Sequence, residues 1–127
     1  MRYLGIDYGT KRVGVSLSDE SGMLAFPYTV LKNDATLLDE VMRIAKEQKV
    51  RSVILGESTD NKGKPNKVAA AADVFKKSLE KALRKPVIYE PEFLTSVQAA
   101  RFQGKVEKLD ASAAAIILQS YLDRKTN

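Results

Sequence analysis

The chain has 127 residues and contains neither cysteine nor histidine, which excludes disulfides, thiolate or histidine metal sites, and Ser-His-Asp or Cys-His catalysis. Its formal net charge of +5 favours a polyanionic partner, nucleic acid first, although the cations are spread along the chain and a solvated surface is the simpler explanation. Any hydrolytic chemistry must therefore rest on carboxylates, lysines, hydroxyls or a metal ion.

A chain of this length suits one domain with a buried core, and we expect a single domain over residues 1–127. No apolar segment is long enough to span a membrane, and no basic and then apolar leader opens the chain. The lack of cysteine is consistent with a reducing compartment. These features together predict a cytoplasmic protein without a membrane partner.

The first three predicted elements are strands joined by short turns. Apolar and other residues alternate over residues 2–7 and 12–19, and the sequence DESG at 19–22 predicts a turn. Residues 23–29 predict a third strand, in which Pro27 marks a sheet edge or the end of the strand. The three strands predict an antiparallel meander.

The remaining elements alternate between helices and strands, so that the whole order is βββαβαβαα. We expect first a helix from a cap at Asn33 or Asp34 to about Gln48, and then a strand at 51–56. A helix ending near Leu83 and a buried strand at 86–89 follow. The chain should close with a short helix near 95–101 and a final helix capped by Asp110. This order predicts an α/β fold of the ribonuclease H-like type. Its mixed five-stranded sheet combines the three-strand meander with two parallel strands, and helices cover both faces.

The carboxylate of Asp7 occupies an unusual place in this order. The stretch LGIDYGTKRVGVSLSD, residues 4–19, places it at the end of the first strand, before a glycine-containing turn and then Lys11 and Arg12. Actin-like ATPases and sugar kinases share a core of this layout and open with a similar G-I-D-x-G-T pattern that grips phosphate. Those proteins close two such domains around a nucleotide, whereas this chain has room for one, so we favour another activity.

Four segments resemble the YqgF family of Holliday-junction-resolvase-like proteins, whose members are also named as pre-16S rRNA nucleases. They are GIDYGTKRVGVSLSD at 5–19, VILG at 53–56 followed by a loop containing DNKG, PEFLTSVQA at 91–99, and KLDASAAAIILQSYL at 108–122. The third is similar to the family's D-E-R-L-T-T-x-x-A segment and the fourth to its final helix. The resemblance covers nearly the whole chain, and the first and last motifs are the specific ones.

The resemblance implies a metal-dependent nuclease in which Asp7, Glu92 and Asp110 are catalytic and hold Mg²⁺ or Mn²⁺. Two-metal hydrolysis of a phosphodiester uses clustered oxygen ligands and needs no histidine. The residues by themselves leave simpler roles open, since Asp7 also suits a turn and Asp110 a helix cap. Glu90 lies two residues before Glu92 and is its rival for the third carboxylate.

Basic residues near these acids are candidates for binding substrate phosphates. Lys11 and Arg12 adjoin Asp7, and Lys62 and Lys64 flank the glycine of the polar loop. Pairing with nearby acids is the alternative for the first two. The cations on and after the second predicted helix are expected to form its solvated face, and they are Lys76, Lys77, Lys81, Arg84 and Lys85.

The function implied by the resemblance is 5′-end processing of pre-16S rRNA. The alternatives are Holliday-junction resolution on branched DNA and nucleic-acid binding without catalysis. Pro91 and Phe93 stand where the family has an aspartate and an arginine, and residues 56–58 depart from its G-L-P motif, which keeps the last alternative open. Both a monomer and a homodimer are compatible with the sequence.

Overall fold

The computed structural model describes residues 1–57, 67–91 and 109–126. Its strands are β1 (Arg2–Tyr8), β2 (Arg12–Ser18), β3 (Ala25–Lys32), β4 (Val50–Glu57) and β5 (Val87–Pro91), and its helices are α1 (Leu37–Glu47), α2 (Lys67–Leu83) and α3 (Leu109–Thr126). The short helix expected near residues 95–101 lies outside the described residues. No helix within them is both long and apolar enough to cross a membrane.

The five strands form one mixed sheet in the order β3-β2-β1-β4-β5. β1 is antiparallel to β2, and β2 is antiparallel to β3, which makes the predicted meander. β4 is parallel to both β1 and β5. The predicted fold class is therefore confirmed, including the two parallel strands and the position of Pro27 in an edge strand.

Each face of the sheet carries its own apolar core. Alternation along β1 sends Leu4 and Ile6 to one face, where they pack with α1 and α2. It sends Tyr3 to the other face, against Ile117 and Leu118 of α3. β4 lies between β1 and β5 and is buried on both faces, as its continuous apolar run predicts, whereas β5 forms an edge of the sheet rather than a second fully buried strand.

The third strand begins two residues later than predicted, because Asp19 extends the preceding turn. Its carboxylate accepts hydrogen bonds from the backbone N–H groups of Met23 and Leu24, at 2.9 and 3.2 Å. Both apolar side chains are consequently exposed, and β3 starts at Ala25.

The predicted helix caps were wrong for similar local reasons. α1 begins at Leu37, because Asp34 first forms a turn in which its carboxylate accepts hydrogen bonds from the backbone N–H and the hydroxyl of Thr36. Asn33 instead bonds to the loop after β1. Asp110 lies inside the first turn of α3, which begins at Leu109, rather than before the helix.

Candidate functional site

Asp7 lies near the carboxyl end of β1, where it is half-buried. Because side chains alternate along a strand, it shares a sheet face with Tyr3 and Gly5. These two residues contact α3: the Tyr3 ring is 5.8 Å from the ring of Tyr121, and a Cβ at Gly5 would lie 2.8 Å from Cβ of Leu118. Asp7 therefore faces the side of the sheet that α3 covers.

The direction of α3 brings its start to the level of Asp7. Moving along β1 from Tyr3 to Gly5, the neighbouring helix residues change from Tyr121 to Leu118 and Ala114. Two strand residues advance roughly 6.6 Å, which about four helical residues match. Two further strand residues, from Gly5 to Asp7, thus correspond to the first turn of α3, where Asp110 lies.

Glycines stand beside Asp7 on both neighbouring strands. Gly14 of β2 is its antiparallel partner. On the other side the last pair is Ile6 with Leu55, so the next residue along β4, Gly56, continues the register beside Asp7. Neither neighbour therefore carries a side chain beside the Asp7 carboxylate.

The loop that follows Asp7 is held by Asn33. The Asn33 side-chain amide donates a hydrogen bond to the carbonyl of Gly9 at 2.7 Å, and its backbone N–H donates to the carbonyl of Lys11 at 3.0 Å. A Cβ at Gly9 would lie 2.5 Å from the carbonyl oxygen of Arg12, so only glycine fits this tight hairpin. The exposed side chains of Lys11 and Arg12 are thereby presented at the same end of the sheet as Asp7.

Glu90 is buried on the α3 side of β5, and its carboxylate is already engaged. One oxygen accepts a hydrogen bond from the hydroxyl of Ser120 at 2.9 Å, and the other pairs with the guanidinium of Arg124. Its side chain is 3% exposed. These contacts attach β5 to α3, which is a structural role for Glu90.

On the opposite face of the sheet, Tyr89 and the cations of α2 form a separate polar group. Burial, helped by a hydrogen bond from its hydroxyl to Asp73, raises the pKa of Tyr89 to about 12, so the phenol stays protonated at neutral pH. Lys77 pairs with Asp73, and Lys76 pairs with Glu80. Lys77 lies on a solvated helix face, as expected. The same expectation was wrong for Lys76, whose side chain is 20% exposed and lies over the Tyr89 ring. Arg84 and Lys85 lie beyond the end of α2.

Several predicted site residues are outside the described part of the structure. Glu92, Lys62 and Lys64 fall in segments that are not described, and of Asp110 only the backbone position is known. Within the described residues no three acidic side chains come together in a metal-binding group. The donor chemistry still fits a hard divalent cation, because Asp7 offers carboxylate oxygens at the end of β1.

Three further residues of this region, Asn33, Gly14 and Gly56, were not predicted from the sequence. Asn33 has an Asx-turn signal that was assigned to a helix cap, and its contact with Gly9 depends on a separation of 24 residues. The two glycines interrupt otherwise apolar strands, and glycine within a strand is a signal of close approach by another group.

Comparisons with known proteins agree with this geometry. A family model described as "RuvX: Holliday junction resolvase" matches residues 1–124. A relative from Caldanaerobacter subterraneus subsp. tengcongensis, named "Putative pre-16S rRNA nuclease", is 36% identical over 138 residues, which cover 100% of this chain and 99% of the relative.

Two solved structures share the fold. The RuvC structure from Thermus thermophilus has a TM-score of 0.64 and 12% identity, and the match covers 99% of this chain and 97% of that one. The Fowlpox virus resolvase in complex with Holliday junction DNA has a TM-score of 0.63 and 18% identity over 100% of both chains. At these identities the likeness establishes the fold alone.

Proposed function

The chain belongs to the RuvX (YqgF) family of Holliday junction resolvases, and from this premise we propose that it is a metal-dependent nuclease that hydrolyses phosphodiester bonds of structured nucleic acid. The observation that carries the proposal is the placement of Asp7. Its carboxylate stands at the end of a central strand, between glycines on both neighbouring strands and at the level of the first turn of α3.

In this proposal Asp7, Glu92 and Asp110 hold Mg²⁺ or Mn²⁺. When bound, two such ions activate a water and stabilise the leaving oxygen of the phosphodiester. Lys11 and Arg12 attract the substrate phosphates at the hairpin loop that Asn33 fixes. Lys62 and Lys64 are assigned the same task on the polar loop.

We assign 5′-end processing of pre-16S rRNA as the reaction, supported by the name of the relative that matches over the full chain. Resolution of Holliday junctions is the second candidate, supported by the description of the family model. Binding without cleavage is the third, because Pro91 and Phe93 replace two polar residues of the family motif. The proposal places the reaction in the cytoplasm, on a single domain that acts as a monomer or a homodimer.

The variant Asp7→Asn tests the nuclease function. Asparagine lacks the negative charge that a divalent cation needs but is close to aspartate in size, so we expect cleavage to be lost and the fold to be kept. Purified protein with magnesium is offered ribosomal precursor RNA and four-way junction DNA side by side, and products are resolved on a denaturing gel.

The matched control is Asp39→Asn, the same substitution at an exposed position of α1, which should cleave as the wild type does. Full activity of Asp7→Asn, or of the wild type in excess chelator, would contradict the proposal. A folded wild type that binds both substrates and cuts neither supports the binding module instead.

A further inference from the structure

The end of the sheet opposite Asp7 collects cations from four separate parts of the chain. The amino ends of the parallel strands β1, β4 and β5 meet there, together with the carboxyl end of α3. We define the basic end as the six cations at this edge: Arg2, Lys49, Arg51, Arg84, Lys85 and Lys125.

Val50 is the centre of this surface. Lys49 and Arg51 flank it in the chain, Arg2 is its partner in the adjacent strand, and the Nζ of Lys85 donates a hydrogen bond to its carbonyl at 2.6 Å. Four cations thus surround one residue. Lys49 and Arg51 are exposed, so their charged groups are accessible to a ligand.

Tyr3 links Lys125 of α3 to the same surface. The Nζ of Lys125 is 5.2 Å from the centroid of the Tyr3 ring, and the guanidinium carbon of Arg51 is 5.5 Å from it. The register of β1 and β4 shifts between Arg2 and Tyr3, which leaves Arg51 as an extra residue beside the ring. The ring itself is 4% exposed, so it supports the two cations without offering a face to solvent.

Acids balance only part of this charge: Glu20 and Asp123 are exposed at the same end. Glu90 is occupied by Arg124, and the carboxylate of Asp19 is occupied by its own turn. Lysines of α2 and the arginine of α1 pair with acids on their own helices. Among the described residues no carboxylate forms an ion pair with Lys49, Arg51 or Lys125. Like charges at this density repel one another, and a polyanion relieves that repulsion.

We propose that the basic end binds the phosphate backbone of duplex RNA that flanks the cleavage site; this inference rests on the proposed function. From Arg2 to Asp7 the chain advances five strand residues, roughly 17 Å, which several base pairs of a duplex span. None of the six residues of the basic end is aromatic and the Tyr3 ring beneath them is buried, which argues against stacked single-stranded bases at these residues. Exposed apolar side chains at the same end of the sheet, Met1, Met23, Leu24 and Phe26, lie on its β3 side, whereas the basic end itself is charged, as is typical of nucleic-acid interfaces.

Salt-dependent binding to duplex RNA tests the proposal. The variant Lys49→Gln/Arg51→Gln/Lys125→Gln removes three positive charges from the basic end. Its control, Arg43→Gln/Lys76→Gln/Lys77→Gln, removes three from α1 and α2, so the change in net charge is the same. Affinity for a labelled duplex of about 20 base pairs is measured in chelator over a range of salt concentrations, and melting curves verify that both variants are folded.

We expect the first variant to lower the slope of log affinity against log salt by roughly two to three units, since each lost phosphate contact contributes about 0.9. The control should keep most of the slope. Equal slopes for the two variants, or a wild-type slope in the first, would overturn the proposal.

Cleavage assays separate this inference from the proposed function. If the wild type cuts no substrate but the slopes differ as expected, the basic end stands and the nuclease function fails. If the wild type cuts but the slopes of the two variants do not differ, the nuclease function stands and the proposal for the basic end fails.

Discussion

Glu90 and Glu92 are two residues apart, but the contacts of Glu90 give its buried charge a structural role. Both of its oxygens have partners on α3, in Ser120 and Arg124. Breaking both contacts of this buried carboxylate would cost too much free energy for Glu90 to bind a metal ion instead. The resemblance of PEFLTSVQA to the family motif and the contacts of Glu90 therefore both favour Glu92 as the third carboxylate.

The paired variants Glu92→Gln and Glu90→Gln test this assignment. We expect Glu92→Gln to reduce the cleavage rate by orders of magnitude with little change in stability, because an amide binds magnesium far less well than a carboxylate. Glu90→Gln should change the rate only a few-fold but lower the free energy of unfolding by about 1–3 kcal/mol. The cost of a lost hydrogen bond applies rather than that of a fully buried ion pair, because the Arg124 side chain is 57% exposed.

Rates with saturating magnesium and urea denaturation measure the two effects. If the rate effects are reversed, the third ligand is Glu90 and the alignment across PEF has slipped. If neither variant loses activity, the third carboxylate has no catalytic role.

The carboxylate of Asp19 should make the stability of the turn between β2 and β3 depend on pH. Its pKa is lowered from 3.8, chiefly by the hydrogen bond from the backbone N–H of Met23 and next by that from the Ser21 hydroxyl. A carboxylate with a lowered folded pKa contributes stability above its unfolded pKa, and this contribution is lost as the pH falls toward the folded value. The turn should therefore weaken in acid, below about pH 4.

The variant Asp19→Asn should flatten the fall of the melting temperature between about pH 5 and pH 3, because the titrating group is removed. Ser21→Ala, which removes one of the donors, should change the profile in the same direction by a smaller amount. Thermal melts by circular dichroism across this range make the measurement, and an Asp19→Asn profile identical to that of the wild type would refute the assignment.

At the scale of elements, the close contact between α3 and the sheet determines where the first turn of α3 lies. Gly5 permits this contact, because a Cβ there would meet the Ser16 hydroxyl, Cβ of Leu118 and the carbonyl oxygen of Ala114. The Ser16 hydroxyl also donates a hydrogen bond to that carbonyl at 2.8 Å. The small side chains of α3 at 111 and 113–115 are all buried in the same region. The position of Asp110 relative to Asp7 thus depends on this packing.

Gly5→Ala should push α3 away from β1. We expect the free energy of unfolding to fall by about 1–3 kcal/mol, the usual cost of overpacking a core. Because an ångström of displacement at a catalytic group costs about 10²-fold in rate, activity should fall more than stability alone explains.

Ser16→Ala is the control for Gly5→Ala: it removes the hydrogen bond to Ala114 but adds no atom, and should cost about 0.5–1.5 kcal/mol with a smaller loss of activity. Urea denaturation and cleavage rates at a temperature where both variants are fully folded provide the comparison. An active and stable Gly5→Ala would show that α3 can move without consequence for the site.

At the scale of the whole molecule, cations are presented at both ends of the sheet. Lys11 and Arg12 are exposed at the end that carries Asp7, and the basic end lies at the other. Among the described residues, these two groups of cations are separated along the strand direction. A nucleic acid bound along this direction would meet positive charge before and after the site of cleavage.

Lys11→Ala and Arg12→Ala should each weaken binding of nucleic acid and flatten the salt slope by about one unit, because each removes about one phosphate contact. Cleavage of bound substrate should suffer as well, which separates these two variants from those of the basic end. Titrations at several salt concentrations measure the slope, and an affinity that does not depend on salt would point to a ligand other than nucleic acid.

The sequence alone was enough to predict those strands and helices whose pattern of apolar residues is visible within the segment itself. Alternation in β1 and β2, the continuous apolar run of β4 and the family motifs were enough to predict the mixed sheet and the family, because the burial pattern of a strand is written in its own residues. Asp7 was likewise identified from its place at the end of β1, and its catalytic role stays a prediction.

Tertiary structure decided what depends on contacts between distant residues. The cap at Asn33 or Asp34 was predicted wrongly, because an Asx residue has the same local signal whether it caps a helix or hydrogen-bonds within a turn or to another loop. Asp110 lies within the first turn of α3 rather than before it. The partners of Glu90, 30 and 34 residues away on α3, and the gathering of cations around Val50 have no periodic signal at all. They arise because parallel strands bring their amino ends to one edge of the sheet, a consequence of strand order that no single segment encodes.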